Sequence, residues 1–273
     1  MFSHTSASRH FIALLIAIAA FASGACAALQ PPDADGPRSN VPPYPISLAD
    51  PAARLEETSV AWNQMSQHYG LTGSSGANLN PLTGTIASLP ANAGTIVLPK
   101  VGDTPEQTEE QIRESLRRFI VEWRQLIGAD PNQLSLVERT DEPSGVKLAR
   151  YEQRPFRYPL RGEFGKLLIR FRADRQVVSI SSNCIPNADR LQASIAGLTP
   201  RINADEVVDH VKKQSVVPAN AALTARELVV YARPANDQSS GLQLYLAWEV
   251  EVSNGPMKTV YIDAVSDQVL AVV

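Results

Sequence analysis

The strongest constraint on the fold lies between Val146 and Ser182. From Leu167 onward the apolar Leu167, Ile169 and Phe171 take every second position, with Leu168, Arg170 and Arg172 between them, which is the two-residue period of a half-buried strand. Ala173-Asp174-Arg175-Gln176 supplies a polar turn, and Val178 and Ile180 resume the alternation, so the stretch reads as an antiparallel hairpin. One apolar face needs a partner, and the helix expected over 104–128 provides it. Thr104 is its expected cap, Pro105 its first residue, Gln107 the capping-box residue and Gly128 its stop. Ile112, Leu116, Phe119, Ile120, Trp123, Leu126 and Ile127 form one continuous apolar stripe along it. Leu134, Leu136 and Val137 add a strand between helix and hairpin.

The C-terminal third repeats this plan. Asn203 caps a helix with Glu206 at the capping-box position, Ile202 staples onto Val207, and Val208 and Val211 carry the stripe to about Gln214. Strand alternation follows in Leu228, Val230 and Ala232, then in Leu242, Leu244, Leu246, Trp248, Val250 and Val252, and again from Val260 and Ile262. Upstream, Asp50 caps a helix with Pro51 at its first position and Leu55, Trp62, Met65 and Tyr69 at helical spacing. The loop Gly70 to Gly76 ends it. That glycine-rich loop lacks the Lys-Ser/Thr of a phosphate loop and follows no strand, so it reads as a connection.

The order Ala149-Arg150-Tyr151-Glu152-Gln153, Pro159-Leu160-x-Gly162, the Leu167 to Arg172 strand and Val177-Val178-Ser179-Ile180-Ser181 resembles the fungalysin/thermolysin propeptide domain, and the resemblance implies that Pro159-Leu160-x-Gly162 is a turn leading into the long strand. Asn80-Pro81-Leu82-Thr83-Gly84-Thr85-Ile86 resembles the turn that precedes the propeptide helix in the same family. Leu246-Ala247-Trp248-Glu249-Val250-Glu251-Val252, Val260-Tyr261-Ile262-Asp263-Ala264 and Asp267-Gln268-Val269-Leu270 resemble a PepSY domain, with Ser266-Asp267-Gln268 where that family has a Thr-Gly turn. The resemblance implies an α+β protein of two cystatin-like lobes, each a helix packed on an antiparallel β-sheet. The expected divisions are 1–27, 28–47, 48–103, 104–190 and 200–273. These are a signal peptide, a Pro-rich lead-in, an N-terminal helix with an extended segment, and the two lobes.

Residues 1–27 have the layout of an export signal. Arg9 and His10 precede the apolar run Phe11 to Ala22, too short to span a bilayer, and Ala25-Cys26-Ala27 has the small-x-small pattern of a cleavage site. Lipidation at Cys26 is the alternative, with the Pro-rich segment as tether. No second apolar run crosses a membrane, so the mature chain is expected to be exported without a transmembrane segment. With 273 residues, two Cys and a net charge of -3, the chain suits one or two soluble domains and not a nucleic-acid protein. Cys184, alone in the mature chain once Cys26 is removed, ends a strand and reads as a buried, inert thiol.

In secreted zinc metallopeptidase precursors, domains of the resembled kind assist folding of the catalytic domain and block its cleft. The catalytic domain needs His-Glu-x-x-His, and none of the four His residues here is followed by Glu. The chain stops at Val273, where the peptidase would begin. The expectation is therefore a free-standing, non-enzymatic protein without cofactor or metal, whose partner is a secreted zinc metallopeptidase. A cell-envelope peptide- or polymer-binding module and a truncated peptidase precursor are the alternatives.

Other chemistry is weaker. His68 and His210 sit on separate predicted helices, Gly73-Ser74-Ser75-Gly76 lacks the spacing of a nucleophile elbow, and Glu249 and Glu251 read as solvated positions on a sheet's outer face. From Lys147 to Arg175, nine basic residues (Lys147, Arg150, Arg154, Arg157, Arg161, Lys166, Arg170, Arg172, Arg175) stand against Glu152, Glu163 and Asp174, a local excess of six positive charges. A solvated basic face explains this most simply; if the patch binds, an acidic protein surface is the expected partner. The partner-binding candidates are Arg150, Gln153, Arg154, Arg157 and Arg161, with Leu270 and Val273 in the tail.

Overall fold

The computed structural model describes residues 43–273 apart from 49, 72–75, 91–93, 104–106, 219, 236–240 and 255–256. These residues belong to one unit, 41–273. The signal segment with Cys26, most of the lead-in, the Gly73-Ser74-Ser75 loop and the expected Thr104-Pro105 cap lie outside the described residues. Along the chain come β1 (Ile46–Ser47), α1 (Pro51–His68), β2 (Asn78–Leu79), β3 (Ile86–Ser88), β4 (Ile96–Val97), α2 (Glu109–Glu122) and α3 (Arg124–Ile127). Then follow β5 (Leu134–Asp141), β6 (Val146–Gln153), β7 (Leu160–Gly162), β8 (Lys166–Arg172) and β9 (Gln176–Ser182). The last third holds α4 (Ala188–Ala196), α5 (Ala204–Lys213), β10 (Ala222–Pro234), β11 (Leu242–Ser253), β12 (Thr259–Asp263) and β13 (Val269–Val272). The architecture is mixed α+β. Its five-stranded sheet runs β4-β9-β8-β6-β5, and its six-stranded sheet runs β13-β12-β11-β10-β7 with β1 on β11.

The first core forms where the apolar stripe of α2 and α3 meets the five-stranded sheet. Every stripe residue from Ile112 to Ile127 is buried, against Ala149, Leu167, Ile169, Phe171, Val177 and Ile180 among others. Burial of side chains such as Phe119 and Leu126 contributes about 1.5–3 kcal/mol each. The helix begins later than its sequence suggests. Thr108 accepts from the Gln111 N–H while the Gln111 side chain accepts from the Thr108 N–H, a closed capping box, and Glu109 and Glu110 follow at the positive end of the helix dipole. Gln107, expected at the third helical position, precedes this cap. Gly128, at φ 80°, ends α3 as expected; a Cβ there would meet Thr85 Cγ2 at 2.4 Å.

Two apolar phases differ from expectation. Val178 is 43 % exposed, and Val177 points inward with Ile180 instead. A bulge explains this: the register jumps from Arg170 opposite Ser179 to Phe171 opposite Val177. In α1 the buried face is Arg54, Thr58, Ala61, Trp62 and Met65, with Leu55 only half-buried. The polar pair faces inward because the turn after β2 offers bare carbonyls. Arg54 Nη2 donates to Leu82 O at 3.1 Å and Thr58 Oγ1 donates to Gly84 O.

The second sheet is covered on parts of both faces. α5, with the expected Asn203–Glu206 capping box, lays Val207 and Val211 with Ile202 on Val250, Val252, Val260 and Ile262. α4, for which the sequence reading made no assignment, packs Leu191 and Ile195 with Ile46, Leu48 and Phe156 on Val230, Ala232, Leu242 and Leu244. On the opposite face Val229, Tyr245, Ala247, Tyr261 and Leu270 cluster, and Tyr44 packs against them. The end of the expected lead-in is thus docked rather than loose. Ile46 pairs with Leu244, the Tyr44 ring stands edge-on to Tyr245 at 6.0 Å, and Tyr44 Oη donates to the buried carboxylate of Asp263.

Pro159-Leu160-x-Gly162, expected as a turn leading into the Leu167 strand, instead forms β7 and crosses to the other sheet, where it pairs in parallel with β10. Gly162 permits the crossing. Its φ is 99°, and a Cβ there would lie 2.7 Å from Ala232 O. Gly162→Ala is expected to lower stability by about 1–3 kcal/mol through backbone strain alone, with the clash added. Gly145→Ala, at φ 75° with no atom within 4 Å, carries the strain without the clash. Urea midpoints of the two variants measure the difference; equal losses would remove the role given to the Ala232 contact.

Candidate functional site

The site grows out of the point where β6 ends. Gln153, 2 % exposed, behaves as a substitute backbone: its Nε2 donates to Ile185 O at 2.9 Å and its Oε1 accepts from Ile185 N–H at 2.7 Å. The chain then leaves the first sheet. Arg154 N–H donates to Gln133 O at 2.7 Å, Phe156 drops into the second core, and Arg157 N–H donates to Gln192 Oε1 at 2.9 Å. β7 follows on the second sheet. The two sheets and this connecting loop enclose a cleft of about 680 Å³, within the range of small-molecule and peptide sites.

Of the residues predicted from sequence, Gln153, Arg154, Arg157, Arg161 and Val273 line this one cleft. Gln153 borders it with its side chain already consumed by Ile185, so it is a structural clamp rather than a contact. Arg150 lies elsewhere, opposite Glu138 on β5 and ion-paired with it at 3.1 Å. Leu270 is 7 % exposed in the Val229 cluster, and its carbonyl accepts from Arg233 at 3.0 Å, so it offers no surface. Sequence reasoning missed Tyr231 and Tyr261, which line the same cleft with Tyr158 and Phe164. Tyr231 and Tyr261 stack at 4.5 Å and 27°. The available signal was a large aromatic between apolar neighbours, Val230 and Ala232 or Val260 and Ile262, on the face that alternation assigns to solvent.

The local excess of positive charge is largely cancelled in three dimensions. Lys147 pairs with Asp141 at 3.1 Å and Arg170 with Glu142 at 3.0 Å. Arg161 reaches both Glu249 at 2.7 Å and Glu227 at 3.0 Å. Arg172 and Arg175 donate to Gln176 and to Leu98 O. Counting within residues 147–175 was blind to these acids because they lie outside that stretch, on β5, β10 and β11 and in the β5–β6 turn. The least compensated cations stand around the cleft, which Glu152 and Glu163 also line. Arg154 is 3.8 Å from Glu152 and Lys166 3.9 Å from Glu163, both open pairs of little energetic weight. Arg157 has no carboxylate partner among the described residues and lies over the Tyr158 ring at 5.6 Å.

Glu249 departs from the solvated position expected of it. Its side chain is 20 % exposed and holds Arg161, itself 35 % exposed. Burial disfavours the Arg161 charge, but the hydrogen bond and charge of Glu249, with Glu227 behind, outweigh it and raise the guanidinium above its ordinary range. Glu251 pairs with Arg226. Burial of the Tyr231 and Tyr261 rings raises both phenols, so they stay neutral donors.

Among the described residues that line the cleft, no nucleophile is paired with a base. His68 contacts Glu122 at 3.7 Å and His210 contacts Asp267 at 2.7 Å, each on its own helix. Among the described residues no group of three or more His, Cys, Asp or Glu is placed to hold a metal ion. Burial pushes the Cys184 thiol up to about 12, with the Ser182 hydrogen bond opposing. The arrangement is suited to binding: an aromatic lining with cations at the rim. No helix among the described residues is long and apolar enough to cross a membrane. No protein-family model matches the chain, and no curated protein matches it either.

Two measurements check this description. Glu249→Gln is expected to cost about 1 kcal/mol in thermal or urea unfolding by weakening the clamp on Arg161; no change would mean that Glu227 alone holds it. In a Cys26→Ser protein, Cys184 is expected to resist maleimide at neutral pH until denaturant is added, since a thiol raised to about 12 and buried is neither ionised nor reachable.

Proposed function

We propose that this is an exported, non-enzymatic, propeptide-like protein that binds a thermolysin-like zinc metallopeptidase in trans, as inhibitor or folding chaperone. The cleft beside β7 is its contact surface. The observation that carries the reading is the convergence of Arg154, Arg157 and Arg161 in one aromatic-lined cleft, because these residues come from the segment that resembles the fungalysin/thermolysin propeptide. The cystatin-like description of the two lobes belongs to the same proposal: α2 on the five-stranded sheet, α5 on the six-stranded one. The sequence contains no His-Glu-x-x-His, so zinc chemistry in this reading belongs to the partner. A second reading, an envelope module that holds a peptide or polymer, draws on the stacked Tyr231 and Tyr261 rings, which give the cleft lining an apolar body with hydroxyl groups for hydrogen bonding.

The test is to titrate the protein into a thermolysin-like peptidase from the same secretome and follow peptide hydrolysis. Saturable, near-stoichiometric inhibition is expected. Arg154→Ala with Arg157→Ala should weaken it about tenfold and reduce its salt dependence, since both act at the rim. Absence of inhibition and of a complex across several such peptidases, with the folded state verified by circular dichroism, would favour the polymer-binding reading.

A further inference from the structure

One wall of the cleft carries the unused side of a β-ladder. β7 is the last strand of its sheet. Its phase is set by Val230 N–H donating to Pro159 O at 2.8 Å, with Val230 opposite Leu160 and Ala232 opposite Gly162. In a parallel ladder alternate residues face the partner strand. Arg161 therefore turns its N–H and C=O toward β10, and Leu160 and Gly162 turn theirs the other way. Among the described residues, no hydrogen bond on that outer side reaches the backbone of Leu160 or Gly162. Both residues line the cleft.

Proteins commonly guard such an edge with a charged side chain on the strand itself. Here the only charged residue of β7, Arg161, is drawn away to Glu249 and Glu227. The remaining cations, Arg154, Arg157 and Lys166, stand around the cleft and are weakly compensated or uncompensated. An open pair of peptide groups beside a cationic rim fits an extended chain bearing carboxylates.

We infer that the cleft binds an acidic peptide segment in extended form, which adds to β7 as a further strand. Peptide groups of the ligand pair with those of Leu160 and Gly162, and its carboxylates meet Arg154 and Arg157. The inference rests on the cleft being the contact surface proposed above, but not on the partner being a peptidase.

The experiment is a titration of the isotopically labelled protein with the hexapeptide acetyl-Glu-Val-Glu-Val-Glu-Val-amide, followed by amide NMR. Saturable binding is expected, with the Leu160 and Gly162 amides shifting and exchanging more slowly. The Lys-Val counterpart should bind about tenfold more weakly, and Arg154→Glu with Arg157→Glu should reverse that order. Two methylated peptides supply the decisive comparison, one N-methylated at every Val and the other at every Glu. Only one residue phase can face β7, so one methylation should weaken binding about tenfold and the other leave it nearly unchanged. Equal tolerance of both methylations, shifts that avoid β7, or no saturable binding would each overturn the inference. A peptidase complex that leaves the Leu160 and Gly162 amides unchanged would retain the proposed function and remove this inference. Edge binding without any peptidase complex would do the reverse.

Discussion

The amide of Gln153 is the contact on which the join between the two sheets depends. At the end of β6 a strand runs out while the neighbouring chain, at Ile185, still needs a donor and an acceptor. Gln153 supplies both from a side chain buried in the protein interior. A buried peptide group left unpaired costs about 1–3 kcal/mol, so two such groups at one point would destabilise the junction severely. With Ile185 fixed, α4 is held against the second core, and with Gln153 fixed the main chain is free to leave the first sheet at Arg154. The cleft, β7 and the cationic rim all follow from that departure.

Charge in this protein is arranged by topology more than by composition. Lys147, Arg150, Arg161 and Arg170 find acids on β5, in the β5–β6 turn, on β10 and on β11, whereas Arg154 and Arg157, on the loop between the sheets, keep little compensation. Arg161 illustrates the balance. Partial burial works against its charge, yet two carboxylates, Glu227 on β10 and Glu249 on β11, hold the guanidinium and keep it ionised.

Much of the scaffold was legible in the sequence because its signals are local. The stripe from Ile112 to Ile127, the Asn203–Glu206 capping box and the alternation of Leu167, Ile169 and Phe171 each lie within one short stretch of chain, and each appears in the structure, the stripe on the successive helices α2 and α3. What escaped depends on distant partners. β7 is three residues long and is a strand only because β10 receives it. α4 has no side-chain cap and few long apolar residues; its stability comes from the second core. The inward Arg54 and Thr58 answer carbonyls of a turn outside their helix. For the site, basic residues on one loop were visible, but the roles of Gln153 and Leu270 were not, since burial cannot be read from a motif.

The strap at the beginning of the described chain has a consequence in time. Tyr44 bonds to Asp263, a separation of 219 residues, and Ile46 completes its pairing only with Leu244. A chain made from its N-terminus must therefore hold this strap unpaired until nearly all of the protein has emerged. Contacts of such long range slow folding, because most loop entropy is lost before they form. Closure of the strap is thus a late event, and the first and last segments of the described chain reach their native state together.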